Sequence, residues 1–327
     1  MKKLIRMMML LCMTGILMVG CGKKESTVEE DVTINIAGLK GPTSMGMVKM
    51  IEDKKDVQTG IKYDFAMYTA ADEVVPKIVK GEIDIAAIPA NLAAVLYQKT
   101  EKGITVIDIN TLGVLYVVEN GTSIQSFADL KGKTIYMTGK GTTPEYALNY
   151  LLEKNGLTRE DVTVEFKTEA TEVASVLQNT ENAIGLLPQP FVTVACSQNE
   201  ALRIALDLTE EWDKVQGEEK SSLVTGVTVV RNEFLEEHPE AVKIFLEEHK
   251  SSADFVNQNV EEAAAWIESY DIVKAAVATK AIPYCNITCI TGKDMKDKLS
   301  GYLNSLFEQN KEAVGGQLPD EAFYYTK

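Results

Sequence analysis

The chain has 327 residues, with 33 lysines and arginines against 48 aspartates and glutamates, for a formal net charge of −15. So acidic a surface is a poor partner for nucleic acid or for anionic lipid headgroups, and no basic run follows the first 31 residues, which excludes nucleic-acid binding. Five cysteines are too few for a disulfide-built scaffold, while the length allows two domains of ordinary size.

Lys2, Lys3 and Arg6 precede an apolar stretch, residues 7–19, that is too short to span a bilayer comfortably and reads as a secretory signal. Leu17-Met18-Val19-Gly20 before Cys21 resembles the bacterial lipoprotein box, in which the cysteine thiol is acylated and becomes the new N-terminus. Met18 stands where leucine is usual. The expectation is a signal peptide at 1–20, lipidation at Cys21 and a lipidated tether at 21–31, giving an extracytoplasmic protein anchored to the cell membrane. Residues 22–31 are polar and aperiodic, as a tether should be.

Residues 32–37 run apolar like a buried strand, 38–44 hold turn formers, and 45–53 begin a helical spacing. In a parallel sheet such a loop lies at the carboxyl end of a strand, with the free N–H groups of the helix start facing a crevice. Thr43 and Ser44 add hydroxyls there. Residues 61–68 alternate with period two as a second strand, and 70–80 are helical, with Pro76 inside and Gly81 at the end. A short buried strand at 83–88 is closed by Pro89-Ala90-Asn91. A helix at 92–99 and a strand at 104–109 follow. This order predicts a mostly parallel sheet wrapped by helices.

Residues 112–119 read as a long apolar strand, and after 126–132 the pattern restarts. A strand at 133–137 leads into a glycine-hydroxyl loop at 138–143, and the helix at 144–155 has Pro144 in its first turn. A strand at 162–166, a helix at 169–178, a strand at 182–187 closed by Pro188-Gln189-Pro190 and a helix at 191–198 repeat the plan of the first half. Two similar α/β lobes are the economical reading. Residues 204–208 are a short strand, 209–220 are acidic and loop-like, and 223–231 are a second long apolar strand. The two long strands predict a pair of crossings, with lobe one at 32–114 and 226–327 and lobe two at 115–225. From residue 232 onward the pattern is helical without strands, so this part must pack on a lobe already built.

Few side chains carry obvious chemistry. His238 and His249 are eleven residues apart, which is no metal spacing, and both read as solvated or capping residues. Cys285 and Cys289 can pair or share a helical face, and no metal site is expected. Residues 139–143 lack the span of a phosphate loop. Tyr68, Tyr116, Tyr146 and Phe191 stand where they can either wall a cleft or fill a core.

Several segments then carry a resemblance. They include Lys80-Gly81-Glu82-Ile83-Asp84-Ile85-Ala86 with Pro89, Asp129-Leu130-Lys131-Gly132-Lys133, Leu186-Leu187-Pro188-Gln189-Pro190-Phe191, and the run from Val229 through Glu233-Phe234-Leu235 to Val242. With Cys21, this set resembles the extracytoplasmic solute-binding proteins of ABC transporters, in the branch that binds nitrate, sulfonates, taurine and thiamine precursors. The resemblance implies an α/β, type II periplasmic-binding-protein-like fold. Two lobes are joined by two extended crossover segments, a helical C-terminal part packs on lobe one, and the lobes close by hinge bending. Carried over, the family's ligand contacts fall at Thr43, Ser44 and Met45, at Pro89, Ala90 and Asn91, at Thr142 and Thr143, and at Gln189, with Tyr68, Tyr146 and Phe191 as candidate walls. Gln189 replaces the family's common glutamate, which disfavours a cationic ligand. The three arginines beyond the signal lie outside these loops, which disfavours a sulfonate or carboxylate held by a bidentate arginine. The implied partners are a small-molecule ligand, an ABC permease and an ATPase, with the chain a monomer and no cofactor. A ligand sensor for a membrane signalling partner uses the same cleft, and the fold also hosts a pyrimidine-forming enzyme.

Overall fold

The computed structural model describes residues 31–216 and 221–326. The expected signal peptide, Cys21 and all but the last residue of the tether lie outside them.

A six-stranded mixed sheet forms the first lobe. Strand β1 (Val32–Leu39) buries Val32, Ile34 and Ile36 through Gly38, and pairs in parallel along its whole length with β2 (Ile61–Tyr68). Between them, Gly41 has φ 140°, a conformation open to glycine, and turns the chain into α1 (Pro42–Met45). A second short helix, α2 (Val48–Lys54), follows, so the helical pattern from residue 45 is two pieces instead of one. The joint is at Gly46, where an added Cβ would come 3.0 Å from Ile287 Cγ2 and 3.6 Å from Ala253 Cβ. The missing side chain lets later elements approach the backbone. Helix α3 (Ala71–Val79) carries Pro76 inside it, and its first turn is capped by Glu73, which accepts from the N–H groups of Thr69 and Ala70. Strand β3 (Ile85–Pro89) joins the other side of β1, and α4 (Ala90–Lys99) returns the chain to β4 (Ile104–Leu112).

The chain passes to the second lobe through Gly113 and Val114 alone. The predicted strand at 112–119 is therefore divided: Leu112 ends β4 in one sheet and β5 (Leu115–Asn120) lies in the other. Gly113 permits the break, since a Cβ there would lie 2.2 Å from Thr209 Oγ1. The second sheet has five strands. It is built from β6 (Thr134–Met137), α5 (Thr143–Lys154), β7 (Thr163–Phe166), α6 (Ala170–Asn179), β8 (Ile184–Pro188), α7 (Phe191–Gln198) and β9 (Leu202–Asp207). Its β6 is parallel to β7 and β8, while β5 runs antiparallel to β8 and β9. The acidic stretch expected to be a loop begins as a helix, α8 (Leu208–Val215). Asp207 caps it by accepting from the Thr209 N–H at 2.8 Å, and Trp212 anchors its apolar face.

Strand β10 (Val224–Arg231) brings the chain back and inserts between β3 and β4, antiparallel to both. It does not bridge the lobes; the return leg is α8 with the residues before β10. Helices α9 (Asn232–Glu237), α10 (Pro239–Gln258), α11 (Val260–Ser269) and α12 (Ala275–Ala281) then cover the first sheet. Helix α10 buries Ala241, Val242, Phe245, His249, Ser252, Ala253 and Val256, the three-and-four spacing of an amphipathic helix. The C-terminal part does contain a strand: β11 (Ile287–Ile290) adds to the free edge of β4. Its four residues are too few to show periodicity. Helix α13 (Gly292–Gln309) packs on β4 and α4 and also reaches α5 of the second lobe.

Candidate functional site

The first lobe contributes the turn after β1. Thr43, Ser44 and Met45 are all buried there, Ser44 and Met45 completely. A Cβ at Gly226 would lie 2.5 Å from both Thr43 Cγ2 and Asn110 Oδ1, so glycine lets β10 pass between the loop and β4. Gly226 also pairs with Pro89 across the sheet, which brings the end of β3 beside the loop. Ala90 is buried, and Asn91 is turned away, its Nδ2 donating to the Ala313 carbonyl at 3.4 Å. Three side-chain oxygens in this neighbourhood, Ser44 Oγ, Asn110 Oδ1 and Thr111 Oγ1, are buried without a hydrogen-bond partner. Native interiors rarely leave such atoms unpaired, and water or a ligand usually completes them.

The second lobe contributes the turn after β8. The Gln189-Pro190 peptide is cis, and the Gln189 N–H donates to the Val114 carbonyl at 2.9 Å, beside the crossing. Its Oε1 accepts from Thr193 Oγ1 at 2.8 Å and from the Thr193 N–H. With the oxygen fixed, the Nε2 end of the amide is buried and has no partner, although the side chain is 3% exposed. Phe191, two residues on, is exposed to solvent at 38%.

The glycine-hydroxyl loop of this lobe is largely satisfied by its own side chains. Thr142 Oγ1 donates to the Gly139 carbonyl at 2.6 Å, Glu145 accepts from the Gly141 N–H, and Tyr146 Oη donates to the Gly141 carbonyl at 2.9 Å. Tyr146 is also held from the first lobe by Asn310 Nδ2, at 2.7 Å. Tyr302 of α13 donates to Thr143 Oγ1 at 3.5 Å. Thr143 and Tyr146 therefore sit against the C-terminal helix. Tyr68 ends β2, half buried against the main core.

No loop cation points at this junction. Lys40 pairs with Asp271, and Lys140 lies over the Phe166 ring with Nζ 5.8 Å from its centroid. Each arginine of the described residues is engaged: Arg159 with the Val162 carbonyl, Arg203 with Glu119, and Arg231 with Asp84 and Glu233. Where the lobes meet, burial raises the Asp207 carboxyl above the usual range, against the lowering effect of the Thr209 and Glu210 N–H groups. Burial likewise raises the Tyr116 hydroxyl, with Asp207 adding to it.

Asn110, Thr111 and Thr193 belong to this neighbourhood and were not read from the sequence. A signal for Asn110 existed: Asp108 and Asn110 place polar side chains at alternate positions of the mostly apolar β4. The expectation for His249 is corrected. It is completely buried, with Nδ1 3.0 Å from Asp108 Oδ2, because α10 lays its apolar face on the sheet with the imidazole pointing inward. Cys196, Cys285 and Cys289 are all free thiols.

Two α/β lobes of this topology, linked at Gly113 and Val114 and lined with unpaired polar atoms near that link, have the periplasmic-binding-protein fold. Residues 58–263 match the NMT1/THI5-like family, and the chain belongs to that family. No curated protein matches it. Among solved structures, an ABC transporter protein from Parabacteroides distasonis is similar over 91% of this chain and 100% of its own, at 24% identity and a TM-score of 0.77. The periplasmic aliphatic sulphonate binding protein of Escherichia coli covers 89% of this chain and 95% of its own, at 15% identity and a TM-score of 0.67. The alkanesulfonate-binding protein of Xanthomonas axonopodis pv. citri, bound to MOPS, covers 89% and 96%, at 14% identity and a TM-score of 0.59.

Proposed function

We propose that this chain is an extracytoplasmic solute-binding protein, lipid-anchored at Cys21, that holds a small organic molecule between lobe one (32–114 and 226–327) and lobe two (115–225) and delivers it to an ABC permease and its ATPase. It binds its ligand without transforming it. The observation that carries the reading is the buried, unpartnered Nε2 of Gln189, a donor fixed by Thr193 beside the crossing. The open oxygens of Ser44 and Asn110 on the other lobe support it. Buried neutral donors and acceptors suit a ligand with its own polar atoms and little charge. With every arginine of the described residues engaged elsewhere, the ligand is a neutral or monoanionic molecule and not an alkyl sulfonate. The family match and the transport proteins among the similar structures support the transport role.

A thermal-shift screen of metabolites tests this reading. A ligand at a hundred times its Kd stabilises by about 2.7 kcal/mol and raises the melting temperature by several degrees. Gln189→Leu should remove most of that shift, read against the variant's own unliganded melting temperature, which falls because Thr193 loses its acceptor. Hits confined to cationic amines, or a shift indifferent to Gln189→Leu, would overturn the assignment. For the anchor, Cys21→Ala should release the protein from the membrane fraction.

A further inference from the structure

Away from the proposed ligand site, three groups of different chemistry converge on the α10 side of the first sheet. Asp108 on β4 and His249 on α10 are both completely buried, and Cys289 on β11 is partly so. One carboxylate oxygen, one imidazole nitrogen and the thiol sulfur all lie within 4.8 Å of one another. The carboxylate is already oriented: Thr228 Oγ1 donates to Asp108 Oδ1 at 2.9 Å, and Asn110 Nδ2 donates to Thr228 Oγ1 at 3.2 Å. His249 Nε2 has no partner and Cys289 Sγ has only a weak contact, 3.9 Å from the Leu246 carbonyl.

We propose that Asp108, His249 and Cys289 form a binding site for one divalent transition-metal ion of the zinc class. Imidazole, thiolate and carboxylate together are the donors zinc prefers, and neighbouring ligands on a tetrahedral zinc ion are about 3.5 Å apart. The ligand set here needs only to contract. Cys289 is placed to move, because β11 pairs with β4 through a register shift between Ile287 and Ile290 and forms the edge of the sheet. On binding, His249 offers Nδ1 and carries its proton on Nε2, the thiol proton leaves to solvent, and the ion gains one thiolate and one carboxylate. The assembled cluster is neutral, as a buried site requires. A water molecule or the Leu246 carbonyl fills the fourth position. The ion fastens the edge strand β11 and helix α10 to β4, one strand away from Gly226 and the first-lobe loop.

The test uses chelator-treated full chain and cobalt(II) as a spectroscopic stand-in for zinc. One equivalent should give thiolate-to-cobalt charge-transfer absorption in the near ultraviolet and visible bands of tetrahedral intensity, both abolished by added zinc. Cys289→Ser should lose the charge-transfer absorption, and His249→Gln should lose cobalt binding. Thr228→Val, which keeps all three ligands but frees the carboxylate and takes the acceptor of the Asn110 amide, should weaken binding by about 10–100-fold. Absence of the charge-transfer absorption in the wild-type chain, or its persistence in Cys289→Ser, overturns the proposal. Neither outcome depends on the ligand of the interlobe site.

Discussion

The hydroxyl of Tyr116, the second residue of strand β5, donates to the backbone carbonyl of Tyr284 at 2.7 Å, and the two rings meet edge to face with centroids 6.3 Å apart. One residue belongs to the second sheet and the other to the turn before β11, so the bond closes the lobes on each other beside the crossing. Tyr116→Phe keeps the ring contact and removes the donor. Unfolding in urea should show a loss of about 1 kcal/mol. A variant as stable as the wild type would show that the carbonyl is equally well served by water.

Glu119 is completely buried, and accepts from Ser123 N and Oγ, from the Ile124 N–H and from Arg203. Glu119→Ala strips four donors of their acceptor and should cost about 3 kcal/mol. The surface pair of Lys131 with Asp161 is the control, since Lys131→Ala should change stability far less than Glu119→Ala. Comparable losses for the two variants, measured by chemical denaturation, would contradict this ranking.

Gly226→Ala inserts a methyl group between Thr43 and Asn110. Relief requires the first-lobe loop at Thr43 and the Asn110 side chain to give way, at a cost of about 1–3 kcal/mol. Any ligand found in the screen should also bind at least tenfold more weakly by calorimetry. Unchanged affinity would separate the loop from the site.

Asp129 and Asp161 are held below the ordinary carboxylate value of 3.8, chiefly by backbone N–H donors, those of Gln125 and Ser126 for the first and that of Thr158 for the second. A lowered folded-state value gives stability that is present above 3.8 and lost as the pH falls through that lower value. Asp207 has the opposite sign: its raised value favours the folded state below 3.8, and that contribution fades as the pH rises through the folded-state value. Melting temperatures measured from pH 2 to 7 should therefore differ in slope. The Asp129→Asn, Asp161→Asn double variant should show a shallower acid limb than wild type. Asp207→Asn, which keeps an acceptor for Thr209, should gain on wild type as the pH rises.

Burial pushes the Cys285 thiol up to about 12. At pH 8 about one molecule in 10⁴ then carries the thiolate. In the native protein Cys285 should resist iodoacetamide and react at the ordinary rate only after unfolding. Mass spectrometry of peptides from timed alkylation checks this, and rapid native labelling would contradict the burial.

Much of the architecture was legible because its signals are local. The alternation in β2, the apolar run of β1 and the proline that ends β8 each lie within a few residues, and the restart near Thr134 exposed the second lobe. What stayed hidden depends on contacts distant in sequence. Asp108 and His249 are separated by 141 residues and meet only because α10 lies on β4. The break at Gly113 is invisible in an apolar run, since hydrophobicity marks burial without saying in which sheet. Thr142 and Tyr146 were read correctly as a loop with its helix, but their hydroxyls turn to the Gly139 and Gly141 carbonyls. Spacing alone does not show which of several nearby acceptors a hydroxyl chooses.

The strand order also sets a timetable. All five strands of the second sheet come from one continuous stretch, residues 115–207, so that lobe can assemble as soon as it has emerged. In the first sheet β10 stands between β3 and β4, and the last residues return to the same strand, the Tyr325 N–H donating to the Val106 carbonyl at 2.9 Å. Strand β4 and the free edge of β3 thus wait for partners synthesised later in the chain. A polypeptide whose first sheet cannot close early stays partly open until its synthesis is nearly complete.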